Sequence, residues 1–202
     1  MLLQRLGSVL VIDPEAGPGR QTSSRNSGVI HAGIYYPGKS LKTRLCIEGN
    51  RLLYAWCEAQ AVPYERSGKL VIASTHAELA KLEALAKHAQ QVGAGQLQLL
   101  DAAELSQREP AVRGLGALWS PRSGVVDAHA LIASLARRLR EDGGDLAFHA
   151  RAKAIRRAGR SWIVHTEDSL GRQTELRTAR VVNAAGLGAI EVARRSGLDE
   201  RQ

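Results

Sequence analysis

The stretch SSRNSGVIHAGIYYPGKS, Ser23 to Ser40, holds more chemistry than a connecting loop requires. Ser23, Ser24, Arg25, Asn26 and Ser27 supply donors suited to phosphate and sugar oxygens, while Gly28 and Gly33 allow a ligand close to the backbone. His31, Tyr35 and Tyr36 follow where the reactive ring of a bound cofactor could lie. A neutral imidazole, with its ordinary pKa of about 6.5, is available as a base at physiological pH. The plainer alternative is a polar loop around a buried, satisfied histidine, and the residues alone leave both open.

Two further places carry chemistry. SVLVID ends in Asp13, and in dinucleotide-binding folds an acid at the end of the second strand accepts hydrogen bonds from the adenosine ribose. Equally, acids end many strands as ordinary loop residues. Asn183-Ala184-Ala185-Gly186 lies between a β-branched pair and a helical pattern, where small residues admit a pyrophosphate or simply make a tight turn. The G-x-G-x-x-G turn that should precede Asp13 by about 20 residues is absent. MLLQRL, Met1 to Leu6, reads as the tail of the helix that would follow it, so the sequence is expected to begin inside a fold.

The elements that must position these residues follow from periodicity and capping. Ser8–Ile12 reads as a buried strand before the breaker-rich PEAGPG. Leu41–Ala59 reads as a helix with Ser40 as N-cap and Leu41, Leu45, Leu52 and Trp56 as its apolar positions. A strand over Gly68–Ser74 is followed by a capping box, Thr75 and Glu78, opening a helix to about Val92. Asp101 and Glu104 repeat the box before a short helix ended by Pro110. A strand over Leu115–Ser120 precedes a helix capped by Asp127, with Leu131, Leu135 and Leu139 on one face. Strands are expected near Arg151–Ile155, Ser161–Thr166, Thr174–Arg177 and Val181–Val182, with a last helix from about Leu187. The mixture predicts an α/β (α+β mixed) chain: a dinucleotide-binding core interrupted by a smaller domain with antiparallel strands.

Composition narrows the function classes. The 202 residues carry a net charge of +8, concentrated late in Arg137, Arg138, Arg140, Arg151, Lys153, Arg156, Arg157 and Arg160. Aromatics make up 4%, and no stacking or helix-turn-helix pattern accompanies the basic residues, which argues against nucleic acid. Solvated basic faces, or attraction to an anionic substrate, cofactor or membrane surface, fit better. Cys46 and Cys57 fall in one helical pattern outside any C-x-x-C, the usage of reduced thiols in a cytoplasmic protein. No apolar run approaches the roughly 20 residues of a membrane span, and Arg5 argues against a signal peptide.

SSRNSGVIHAGIYYPGKSLKTRLCIEGNRLLYAWCE resembles the segment after the second strand of FAD-dependent L-2-hydroxyglutarate dehydrogenases and oxidases, members of the D-amino-acid-oxidase-like superfamily. The resemblance continues through VPYERSGKLVIAS and SPRSGVVDAHALIASLA to RVVNAAGLGA, essentially the whole chain. It implies an incomplete FAD-binding Rossmann-like domain, 1–45 and 121–202, around a substrate domain portion, 46–120. It implies cofactor contacts from Asp13, Ser24, Arg25, Asn26, Ser27, Ala152, Ala185 and Gly186, with His31 as general base near the isoalloxazine. Tyr35, Tyr36 and Lys69 become substrate-facing candidates.

The implied reaction is oxidation of L-2-hydroxyglutarate to 2-oxoglutarate by hydride transfer to the flavin, with oxygen or a quinone as electron acceptor. Three alternatives stay open: another 2-hydroxy acid, an amino acid or glycerol 3-phosphate as substrate. So does an inactive fragment needing a complementary chain. The expected setting is cytoplasmic, with peripheral contact at the inner face of the membrane left open.

Overall fold

The computed structural model describes residues 7–197. The helix tail read at Met1–Leu6 lies outside the described residues. The α-helices are α1 Leu41–Gln60, α2 His76–Gln91, α3 Ala102–Arg108, α4 Ala128–Glu141 and α5 Ala189–Arg195. The chain divides into two compact units: Met1–Arg25 with Ile132–Gln202, and Asn26–Leu131 inserted between them. Parallel and antiparallel strands both occur, so the mixed α/β class is borne out.

In the first unit β1 (Leu10–Ile12) pairs in parallel with β8 (Asp145–Ala147), Leu10 lying opposite Asp145. The ladder runs on past β1: the Asp13 amide donates to the Ala147 carbonyl at 2.9 Å, and the Ala150 amide to the Asp13 carbonyl at 3.0 Å. Next comes an antiparallel sheet of β9 (Arg151–Ala158), β10 (Ser161–Glu167) and β11 (Gln173–Thr178), with β10 central. Ile155 and Val164 stand opposite each other and pack with Val192 of α5, so this sheet's core is small and one-sided.

The second unit holds two three-stranded sheets. One has the order β2 (Val29–Ile30), β7 (Gly124–Val126), β3 (Tyr64–Glu65). The other has β4 (Lys69–Ala73), β6 (Gly116–Ser120), β5 (Gln98–Asp101). Ala73, Leu82 and Leu118 form a buried cluster joining α2 to the second sheet. Burying a side chain the size of Leu118 contributes about 2 kcal/mol.

The caps read from sequence are present. Ser40 Oγ accepts from the Thr43 amide, and both capping boxes, Thr75/Glu78 and Asp101/Glu104, are closed in each direction. The Asp127 carboxylate accepts from the His129 and Ala130 amides, each at 2.9 Å. Caps of this kind are worth about 1 kcal/mol each.

Four expectations are corrected. The first strand forms as Leu10–Ile12 but is not buried: Leu10 and Val11 are exposed. On α1 the apolar positions Leu41, Leu45 and Leu52 are 61%, 53% and 49% exposed, and the buried residues are Thr43, Tyr54 and Cys57. Polar anchoring decides that face: Thr43 Oγ1 donates to the Pro37 carbonyl and the Tyr54 hydroxyl to the Arg122 carbonyl. On α4, Leu135 is exposed and Ser134 buried, so the leucine row is only partly packed. Val181–Val182 is not a strand; no neighbour among the described residues hydrogen-bonds it into a sheet, and Val182 is 87% exposed.

Candidate functional site

His31 follows directly on β2, whose pairing with β7 fixes where the histidine emerges. Gly28 sets that pairing: φ is +67°, and a Cβ there would lie 2.7 Å from the Val126 carbonyl oxygen. The Gly28 carbonyl accepts from the Val126 amide at 2.9 Å, and Asn26 Oδ1 accepts from the Gly28 amide at 2.7 Å. Ala32 and Ile34 are buried against Ala89 and Ala94, while the His31 side chain between Ile30 and Ala32 is exposed. The buried, satisfied histidine of the plainer reading is therefore not what the chain builds.

The backbone of His31 is held from α1. Asn50 Nδ2 donates to the His31 carbonyl at 3.1 Å and to the Arg122 carbonyl at 3.0 Å, and Cys46 Sγ lies 3.7 Å from the same His31 oxygen. The Tyr54 hydroxyl adds a bond to the Arg122 carbonyl at 3.2 Å. Burial pushes the Cys46 and Cys57 thiols and the Tyr54 hydroxyl up, so all three stay protonated at neutral pH and Tyr54 remains a donor. Sequence reasoning missed this anchor. Its signal is the i, i+4, i+8 spacing of Cys46, Asn50 and Tyr54 along one helix face.

The substrate-facing candidates come together in part. Lys69 Nζ lies 4.8 Å from the Tyr35 ring centroid, a cation–π contact that leaves the ammonium and the phenol side by side. Tyr36 belongs to a different cluster: Lys42 Nζ lies 4.2 Å over its ring and His88 Nε2 donates to its carbonyl at 2.8 Å.

In the polar run, the Ser24 hydroxyl donates to the Gln21 carbonyl at 2.9 Å within a 3-10 turn, and Arg25 and Ser27 are exposed. Asp13 Oδ1 accepts from the Glu15 amide at 2.8 Å; among the described residues no donor reaches its other carboxylate oxygen. Ala152 stands on β9 opposite Thr166. Ala185 and Gly186 are exposed, Gly186 has φ of +54°, and a Cβ there would meet nothing within 4 Å.

The family model for FAD-dependent oxidoreductases matches residues 1–202. The chain belongs to the FAD-dependent oxidoreductase family. L-2-Hydroxyglutarate dehydrogenase of Salmonella houtenae is 33% identical over 191 residues, covering 95% of this chain and 44% of that protein. The mitochondrial L-2-hydroxyglutarate dehydrogenase of Arabidopsis thaliana is 36% identical over 220 residues, 96% of this chain and 46% of that protein. The chain thus spans about half the length of the curated relatives it matches.

Among solved structures, glycine oxidase from Geobacillus kaustophilus superposes with a TM-score of 0.84 at 23% identity, over 97% of this chain and 53% of that one. FAD-bound L-α-glycerophosphate oxidase from Mycoplasma pneumoniae gives 0.84 at 21% identity, over 95% and 51%. At that identity these two establish the fold alone.

The family's cofactor can be tested against the residues present. A ribose diol needs a carboxylate acceptor, which Asp13 offers at the end of β1. A pyrophosphate needs unobstructed backbone, and the small, exposed Ala185–Gly186 turn provides it. Both fit the flavin dinucleotide of the FAD-dependent oxidoreductase family.

Proposed function

We propose that this chain supplies flavin-binding and substrate-facing residues to the oxidation of L-2-hydroxyglutarate to 2-oxoglutarate. The observation that carries the reading is His31: an exposed imidazole whose backbone is pinned by Asn50, in a chain whose relatives carry that substrate in their names. Asp13 would hold the adenosine ribose, with Ala185 and Gly186 along the pyrophosphate, Ala152 toward the adenine, and Ser24, Arg25, Asn26 and Ser27 along the remainder of FAD. When bound, the flavin supplies the two-electron acceptor.

The protein's own part is proton handling and orientation. His31, exposed and fixed at its carbonyl, accepts the substrate hydroxyl proton as the carbon is oxidised. Lys69 beside Tyr35 offers a cation and a hydroxyl to a carboxylate of the dicarboxylic substrate. Tyr36, in its separate contact with Lys42, would face the substrate apart from that pair. Free Cys46 and Cys57 support a reducing, cytoplasmic setting. No helix among the described residues is long and apolar enough to cross a membrane. Exposed Val182, Leu187 and Ile190 favour cover by a complementary chain.

Anaerobic addition of L-2-hydroxyglutarate, glycerol 3-phosphate or glycine to the flavin-loaded protein tests the reading. Loss of the visible flavin bands with L-2-hydroxyglutarate alone supports it. Loss with either competitor instead assigns a different substrate. Reoxidation by air, or only by added quinone, then identifies the acceptor.

A further inference from the structure

The second unit contains a groove of about 1150 Å³ along α1 that the residues above do not explain. Its lining includes none of His31, Tyr35, Tyr36 or Lys69. Arg44, Glu48, Arg51 and Glu58 recur along α1 at helical spacing and form one wall, with Tyr54 beside them. Lys39, Arg66 and Arg122 complete a charge set of five cations against two carboxylates.

The cations differ in how far they are already engaged. Arg66 donates to Glu58 at 3.2 Å and lies 3.8 Å over the Tyr54 ring, and Tyr64 also donates to Glu58 at 2.9 Å. That pair is internally satisfied. Arg44 and Arg51 are exposed, and neither side chain makes a hydrogen bond or ion pair among the described residues. Arg122 is preset: its carbonyl receives Asn50 and Tyr54, and its Nη1 reaches the Gly93 carbonyl at 3.4 Å. One wall thus presents two unengaged guanidinium forks and the other a guanidinium on an anchored turn. Guanidinium groups match the paired oxygens of phosphate and carboxylate, and a concave site strengthens the potential they create.

We propose that this groove is a binding site for a small polyanion bearing phosphate or carboxylate oxygens, held by Arg44, Arg51 and Arg122. Glu48, the carboxylate in the lining that no cation among the described residues engages, opposes that ligand and limits its affinity.

The test is calorimetric titration of the flavin-loaded chain, in which the Ala185–Gly186 turn is already occupied, with inorganic pyrophosphate and, separately, with succinate. Saturable binding of one or both is expected, and which of them binds identifies the phosphate or the carboxylate source. Arg44→Ala with Arg51→Ala should weaken binding about tenfold or more, since each removes a charge-assisted contact. Glu48→Gln should tighten it by about two- to threefold, a gain that a damaged fold would not produce. Arg177→Ala with Arg180→Ala lowers the net charge equally outside the groove and should change binding less than about twofold. Binding of neither probe overturns the proposal. So does equal loss in the two double variants, or binding that survives Arg44→Ala with Arg51→Ala.

Discussion

The side-chain amide of Asn50 donates to the backbone carbonyl of His31 at 3.1 Å, and the same nitrogen reaches the carbonyl of Arg122 at 3.0 Å. One α1 side chain therefore ties the candidate base to a turn 72 residues away from Asn50 in sequence. Asn50→Ala releases both carbonyls to water. It should destabilise the chain by about 1–2 kcal/mol, from two hydrogen bonds of about 1 kcal/mol each. It should also shift the His31 ring resonances, because the residue loses its anchor. Urea unfolding and proton–carbon NMR of the histidines check the two effects; unchanged His31 resonances would show that the anchor does not position the ring.

Gly28 joins the polar run to β2. With φ of +67° and the Val126 oxygen 2.7 Å from where a Cβ would sit, Gly28→Ala meets both backbone strain and a clash with main chain. The expected cost is about 2–3 kcal/mol, and the β2–β7 pairing should open first. Denaturant midpoints and amide exchange at Ile30 test this. An alanine variant as stable as the parent would contradict the geometry described for that strand entry.

Glu58 gives a pH dependence with a definite sign. The hydrogen bond from Tyr64, then that from Arg66, hold its carboxyl below the usual carboxylate range in the folded chain. A folded-state pKa below the unfolded one stabilises the protein above the unfolded value, about 4.3 for glutamate. That contribution is lost as pH falls through the lower, folded value. Glu58→Gln should therefore reduce the loss of thermal stability on acidification below about pH 4.5. Tm measured against pH for both proteins checks it; parallel curves would contradict the assignment.

Removing the base separates chemistry from binding. In the flavin-loaded protein, His31→Gln should slow reduction by L-2-hydroxyglutarate by about 10²–10⁴-fold while leaving flavin retention unchanged. Stopped-flow reduction and the flavin-to-protein absorbance ratio read the two quantities independently. Equal rates in parent and variant would remove His31 from the proton-transfer role.

Much of this architecture was legible because it is local. Thr75 with Glu78, Asp101 with Glu104, and Asp127 ahead of α4 are caps written within four residues of chain, and each closes as read. What the sequence hid depends on partners far away in the chain. Leu41, Leu45 and Leu52 have apolar helical spacing, yet Thr43 and Tyr54 turn α1 the other way by bonding Pro37 and Arg122. Val181 and Val182 have strand-forming side chains, but a strand requires a neighbour and no described one pairs with them. The short strands β2, β3 and β7 are too brief for a period to show and exist because they pair with one another. Asn50 carries no motif, and its role follows from where α1 places it.

The most direct test is the visible absorption spectrum of the purified chain after incubation with FAD and gel filtration. Flavin bands should co-elute with folded protein, and Asp13→Ala, which removes the ribose acceptor, should weaken flavin affinity about tenfold. Folded protein that elutes without flavin would contradict it, because Asp13, the polar run and the Ala185–Gly186 turn would then not form a binding surface in this chain.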